Sequence, residues 1–128
     1  AALPLGAVIA WHMDCSLIYP RKEVKAHGTG QNVEGAFQPG DRVVLVEDVI
    51  TSGGSILSAA KTLRGAGLKI SDALVLVDRK QGGVETLLQE GICVHSVLDI
   101  FEIMDVLKMK GLIDNDTFTS VTRYLQEG

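Results

Sequence analysis

The chain has 128 residues, 46% hydrophobic and 22% charged, with a formal net charge of −4 and a sequence pI near 5.3. That is ample apolar material for one globular domain, which excludes a disordered or fibrous class, and the acidic balance excludes a broad phosphate-tracking face for nucleic acid, so any anion site must be local. Cys15 and Cys93 lie far apart with no Cys-x-x-Cys spacing, which suggests a reducing, cytoplasmic setting, and no apolar run reaches the roughly 18 residues of a membrane span.

Residues 1–13 are apolar almost throughout, with Pro4 where a first helical turn tolerates it, and predict a buried helix. The helix starts abruptly, with no cap and no preceding strand, so we expect a missing upstream segment. Residues 16–19 are partly β-branched and closed by Pro20, which predicts a brief strand. Next, Arg21, Lys22, Lys25 and His27 put three fixed cations and a histidine into seven residues, with Gly28, Gly30 and Gly35 close behind. Cations at this density repel one another unless an anion joins them. The loop, about 21–34, therefore reads either as a solvated charged surface or as an anion site that orders when occupied.

After a turn at Pro39-Gly40-Asp41, Val43, Val44, Leu45 and Val46 form a continuous branched run suited to a strand buried on both faces. Glu47 and Asp48 fall at its carboxyl end, where open α/β sheets bind ligands. Thr51, Ser52, Gly53, Gly54 and Ser55 then supply small side chains, hydroxyls and flexible backbone just before a helix. Such a loop can aim several backbone N–H groups at one phosphate. Acids beside a phosphate cradle repel phosphate unless they hold ribose hydroxyls or magnesium, and a sugar phosphate with metal satisfies both halves. The stretch is neither a Walker loop nor the dinucleotide fingerprint.

Ile56, Ala59, Ala60 and Leu63 set the helical period over 56–66, with Gly67 as C′. A second buried strand over 73–77 ends in Asp78-Arg79-Lys80, and its terminus should lie beside the first. Gln81-Gly82-Gly83 leads to a short helix over 84–89, then a strand over 92–97, a helix over 98–109, and a last helix after Asp114 with Phe118, Val121 and Leu125 on one face. Strands separated by helices of this length imply a parallel sheet with right-handed crossovers. Arg79, at a strand end, suits recognition of a planar anion or a pair with Asp78. Trp11, His12 and His95 show no partner pattern and receive no function.

The run from Val44 to Ser55, aliphatics, two acids, two aliphatics, then Thr-Ser-Gly-Gly-Ser, resembles the PRPP-binding signature of type I phosphoribosyltransferases. Arg21-Lys22-Glu23 with Lys25 and His27-Gly28 resembles the mobile catalytic loop of orotate phosphoribosyltransferases, and Asp78-Arg79 with Gln81-Gly82-Gly83 resembles their orotate-side segment. The similarity runs over nearly the whole chain and is close to the form found in eukaryotic UMP synthases.

The resemblance implies an α/β fold of the type I phosphoribosyltransferase kind: an open parallel sheet with helices on both faces, N-terminally truncated, with residues 1–128 as the C-terminal portion of the catalytic domain and 43–55 as its PRPP motif. It implies transfer of ribose 5-phosphate from PRPP to orotate, giving orotidine 5-monophosphate and pyrophosphate. Glu47 and Asp48 would hold the ribose hydroxyls; Thr51, Ser52, Gly53, Gly54 and Ser55 would wrap the 5-phosphate. Arg21, Lys22, Lys25 and His27 would bind pyrophosphate, and Thr51 and Arg79 would contact orotate. Lys25 and Asp48 are the catalytic candidates. Mg2+ would be held mainly by PRPP and water, with no direct protein ligand. The resemblance also implies a homodimer that exchanges the loop between active sites and a possible fused orotidine monophosphate decarboxylase, with no nucleic-acid or membrane partner. Without the upstream segment, the chain is expected to be weakly active or inactive alone. Two rivals are a non-catalytic regulator of the same fold that binds PRPP or a nucleotide, which the Lys25 loop argues against, and a flavodoxin-like domain, which does not account for the hydroxyl-rich loop together with the cation cluster.

Overall fold

The computed structural model describes residues 2–21 and 32–127, with side chains as far as Leu125. Helix α1, Leu3–His12, leads to β1, Tyr19–Pro20, and β2, Val33–Glu34, which pair antiparallel as a short ribbon. The Arg21 N–H donates to the Asn32 carbonyl at 2.8 Å and extends that ribbon by one rung. Two sequence expectations are corrected here. The strand read over 16–19 forms at Tyr19–Pro20 instead, and the last residues of the loop read over 21–34 are strand.

The main sheet is built from β3, Arg42–Ile50, β4, Lys69–Asp78, and β5, Cys93–Asp99, parallel and in the order β3-β4-β5. Between them run α2, Gly54–Gly65, and α3, Gly83–Gln89; α4, Ile100–Met109, and α5, Asn115–Glu127, close the chain. The parallel α/β alternation read from the sequence is thus present, but β3 is not buried on both faces as its aliphatic run predicted, since Val44 is exposed. Ile50 pairs with Asp78 and Asp78 with Asp99, so the three strands end level along one edge.

Strand and helix periods meet in one core. Ile56, Ala60 and Leu63 of α2 and Leu87 of α3 pack with Ala73 and Val75 of β4, both 0% exposed, and with Leu45 and Val94 on the flanking strands. Each leucine-sized side chain buried there contributes about 1.5–3 kcal/mol. Helix ends are set locally. Gly67, at φ 89°, turns α2 off as the C′ residue, with the Leu68 N–H returning to the Leu63 carbonyl at 3.2 Å. Asp114 accepts the Thr117 N–H at 2.7 Å to start α5, whose Phe118 lies under the Lys108 ammonium of α4 at 4.1 Å. Helix α4 begins at Ile100 rather than 98 because Asp99 and Glu102 cap each other's backbone N–H in a reciprocal box.

The first helix departs from expectation. Only Gly6 and Ala10 of α1 are buried, and a Cβ on Gly6 would stand 3.3 Å from the Leu17 side chain, so a small residue sits at that contact. Leu3, Val8 and Trp11 face outward, Trp11 at 87% exposure. A helix apolar all round has no face that burial selects, and among the described elements α1 packs mainly on β3. No helix of the described residues is long and apolar enough to cross a membrane.

Candidate active site

Glu47 and Asp48 lie inside β3, which runs on through Val49 and Ile50, so the strand outlasts the aliphatic run that marked it in the sequence. Pairing with β4 holds the extra residues extended, Glu47 opposite Val75 and Val49 opposite Val77. Successive strand side chains face opposite sides, and Glu47 shares its side with the buried Val75 while Asp48 faces away from it. Both carboxylates are half-buried and fold back locally. Asp48 Oδ1 accepts the Val49 N–H at 2.9 Å, and Glu47 Oε1 accepts the Asp48 N–H at 3.4 Å.

The loop after the strand is shaped by two glycines in contact. Gly53 takes φ 83°, a left-handed conformation that disfavours any side chain, and turns the chain into α2. A Cβ on Gly83, at the start of α3, would overlap the Thr51 carbonyl and stand 2.8 Å from the Ile50 side chain and 3.0 Å from the Gly53 nitrogen. The α3 N-terminus therefore buttresses the loop at backbone distance. Thr51, Ser52, Gly54 and Ser55 remain exposed over it, beside the first N–H groups of α2 that precede the Leu57 N–H to Gly53 carbonyl bond of 3.0 Å. Free amides and hydroxyls around a helix N-terminus suit a phosphate.

Arg79 stands next to this loop because its N–H donates to the Ile50 carbonyl at 3.0 Å, which ties the end of β4 to the end of β3. Its neighbour Lys80, at φ 56°, turns back so that its own N–H meets Asp78 Oδ1 at 2.7 Å and its ammonium meets Asp78 Oδ2 at 3.1 Å and Asp99 Oδ2 at 3.5 Å. Asp78 is 2% exposed, so this ammonium is its charge partner. The Asp78 carboxylate holds the Lys80 ammonium above the usual lysine range, and the Glu102 backbone N–H, then Lys80, hold Asp99 below the usual carboxylate range. Lys80 thus clasps two strand ends while Arg79 clasps the third.

Of the other expected site residues, Arg21 is exposed and ion-paired with Glu34 across the β1–β2 ribbon. Lys22, Lys25 and His27 lie outside the described residues. The sequence offered Asp78 as a partner for Arg79, but its partner here is Lys80; Lys80, Asp99 and the buttressing part of Gly83 were missed, the Asp99-x-x-Glu102 spacing was the available signal for the cap, and nothing local signals the clasp. A cleft of about 980 Å3 opens between Asn32–Asp41 and the last turns of α2, lined by Phe37, Lys61 and Ala66 among others. It sits at the opposite end of α2 from the hydroxyl loop and is not the site. The oxygen donors of Glu47 and Asp48 fit Mg2+ as hard groups acting through bound hydroxyls or water, and while Asp48 Oδ1 accepts the Val49 N–H, its Oδ2 has no hydrogen-bond partner among the described residues.

A parallel sheet with an acidic pair late in one strand, followed by a glycine-locked, hydroxyl-rich loop at a helix N-terminus, defines a class, and the family described as Phosphoribosyl transferase domain matches residues 1–110. The chain belongs to that family and has its type I fold. Its relatives narrow the similarity. It is 40% identical to the Uridine 5'-monophosphate synthase of Bos taurus over 126 residues, covering 98% of this chain and 26% of that one. It is 42% identical to the Orotate phosphoribosyltransferase of Pyrococcus furiosus over 104 residues, 81% of this chain and 57% of that one. The solved UMP synthase of Leishmania donovani superposes on all of this chain and 28% of its own, with a TM-score of 0.90 at 31% identity. The chain thus spans about a quarter of the UMP synthases and little over half of the Pyrococcus protein.

Proposed function

We propose that the protein is an orotate phosphoribosyltransferase, moving the ribose 5-phosphate of PRPP to orotate to form orotidine 5-monophosphate and pyrophosphate. The observation that carries this reading is the single sheet edge on which the Glu47-Asp48 pair, the Thr51 to Ser55 loop and Arg79 stand together, in a chain about 40% identical to proteins named orotate phosphoribosyltransferase and UMP synthase.

Thr51, Ser52, Gly53, Gly54 and Ser55 hold the 5-phosphate with backbone N–H groups and hydroxyls. Glu47 and Asp48 accept hydrogen bonds from the ribose hydroxyls. Arg79, with Thr51, orients the planar orotate so that its ring nitrogen faces C1 of the sugar. As the bond from C1 to pyrophosphate breaks, positive charge grows on the sugar and negative charge on the leaving group. Asp48 stabilises the first electrostatically, and Lys25, with Arg21, Lys22 and His27, stabilises the second. For Arg21 this requires leaving Glu34. Closure of the loop between the two ribbon strands over the site excludes water that would otherwise trap the sugar cation. Mg2+, held mainly by PRPP and water, would supply further neutralisation of the pyrophosphate charge, while Glu47 and Asp48 could meet it through bound hydroxyls or water.

We further read the protein as a cytoplasmic homodimer whose loop serves the neighbouring site, with a decarboxylase fused in the manner that the UMP synthase relatives suggest. The test is loss of orotate absorbance when the intact protein meets PRPP and Mg2+, with adenine, hypoxanthine and uracil as competing bases. Turnover of orotate alone among the four is expected; preference for another base, or PRPP binding without turnover, overturns the reading.

A further inference from the structure

Away from the catalytic edge, the sheet carries a second group of chemically distinct side chains. Val94 packs into the core, so its neighbours Cys93 and His95 project from the other face of β5, and Asp72, paired with Cys93, projects beside them from β4. One donor atom from each of Asp72, Cys93 and His95 lies within 4.8 Å of the other two. His95 Nε2 stands 2.9 Å from Asp72 Oδ1, while the other carboxylate oxygen, Oδ2, takes the Ser71 hydroxyl at 2.6 Å.

We propose that Asp72, Cys93 and His95 bind a divalent metal ion of the zinc class. A carboxylate, a thiol and an imidazole are a mixed borderline donor set of the kind zinc takes, and three protein ligands leave a fourth position to water. Tetrahedral zinc, with bonds of about 2.0–2.3 Å, separates its donors by roughly 3.5 Å, so small side-chain rotations suffice from the present spacing. The Ser71 hydroxyl holds Oδ2, which leaves Oδ1 directed at the cluster, the usual arrangement of an outer partner behind a ligating carboxylate. Binding replaces the Cys93 S–H bond with a sulfur–metal bond and releases that proton to solvent, and the His95 ring proton facing Asp72 Oδ1 gives way to the tautomer protonated on Nδ1, which frees Nε2 as a donor. From Asp72 to Asp78 is six residues, about 20 Å of strand at roughly 3.3 Å each, so the ion would clip β4 to β5 far from the PRPP loop.

The test uses the intact protein, reduced, freed of metal and carrying no histidine tag, titrated with Co2+. Saturation near one equivalent is expected, with a near-ultraviolet thiolate-to-cobalt band and the visible bands of tetrahedral coordination, all bleached by Zn2+. Cys93→Ser should remove the near-ultraviolet band, His95→Ala should weaken Co2+ binding at least about tenfold, and Ser71→Ala should weaken it by about tenfold. Cys15→Ser, altering the other exposed cysteine, should change nothing. All four substitutions are at exposed positions, and an unchanged circular dichroism spectrum verifies the fold. Absence of the thiolate band in the parent protein, or its survival in Cys93→Ser, overturns the proposal.

Discussion

Two regions that would grip opposite ends of one PRPP are built very differently. The hydroxyl loop is wedged against α3 by Gly53 and Gly83 at backbone distance, and its edge is clasped by the Arg79 and Lys80 contacts to three strand ends. Lys22, Lys25 and His27 lie outside the described residues, and the ribbon of two-residue strands that flanks them in sequence is joined by the Arg21 N–H bond to Asn32 and an exposed ion pair. A rigid cradle suits the 5-phosphate, which keeps its charge through the reaction. On the proposed reading the cations beyond that ribbon form the arm that serves the pyrophosphate, which must be covered, stabilised as it leaves, and released.

The largest expected effect is on the arm. Lys25→Ala should lower kcat by about 10²–10³-fold, the cost of removing one preorganised partner of a developing charge, with little change in KM for PRPP. An unchanged kcat in steady-state assays would remove Lys25 from that part. On the cradle, Gly83→Ala pushes a methyl into the Thr51 carbonyl and should destabilise the fold by about 1–3 kcal/mol in urea unfolding, while raising KM for PRPP as the loop shifts. Unaltered stability would mean that the contact yields freely.

Lys80→Met leaves the buried Asp78 without its ammonium. Breaking a buried pair costs about 3–5 kcal/mol, but the Lys80 side chain is 44% exposed, so about 1–2 kcal/mol is expected, and less in the double variant with Asp78→Asn. Additive losses in that cycle would dissolve the clasp. The clasp and caps also set a pH window. Asp99 and Asp114 are held below the ordinary 3.8, Asp114 by the Thr117 hydroxyl and N–H, so their contribution is present above 3.8 and fades as pH falls through their lowered values. Lys80 is held above 10.5, so its contribution is present below 10.5 and fades as pH rises through the raised value. Thermal midpoints should be level from about pH 5 to 8. Least of all, Arg21→Ala, breaking an exposed pair with Glu34, should change stability by no more than about 0.5 kcal/mol.

What the sequence made legible is what four or five consecutive residues encode: the Val43 to Ser55 alternation of strand, acids and loop, the Asp114 cap, the Gly67 stop. What it concealed depends on residues meeting across strands. Glu47 and Asp48 are strand because β4 pairs with them. The Lys80 clasp exists because register brings Asp99 level with Asp78, and His95 gains Asp72 in the same way. Gly83 looks like a flexible turn until the α3 terminus is seen against Thr51. The exposed side of α1 was illegible because uniform apolarity does not say which face is covered.

The division between cradle and arm is tested most directly by calorimetric binding of PRPP, with Mg2+, to the intact protein and to its Lys25→Ala and Gly83→Ala variants. The account predicts that Lys25→Ala binds PRPP within a few-fold of the parent while Gly83→Ala binds it at least about tenfold more weakly, a difference of about 1.4 kcal/mol or more. The reverse order, with Lys25→Ala losing PRPP and Gly83→Ala retaining it, would contradict it.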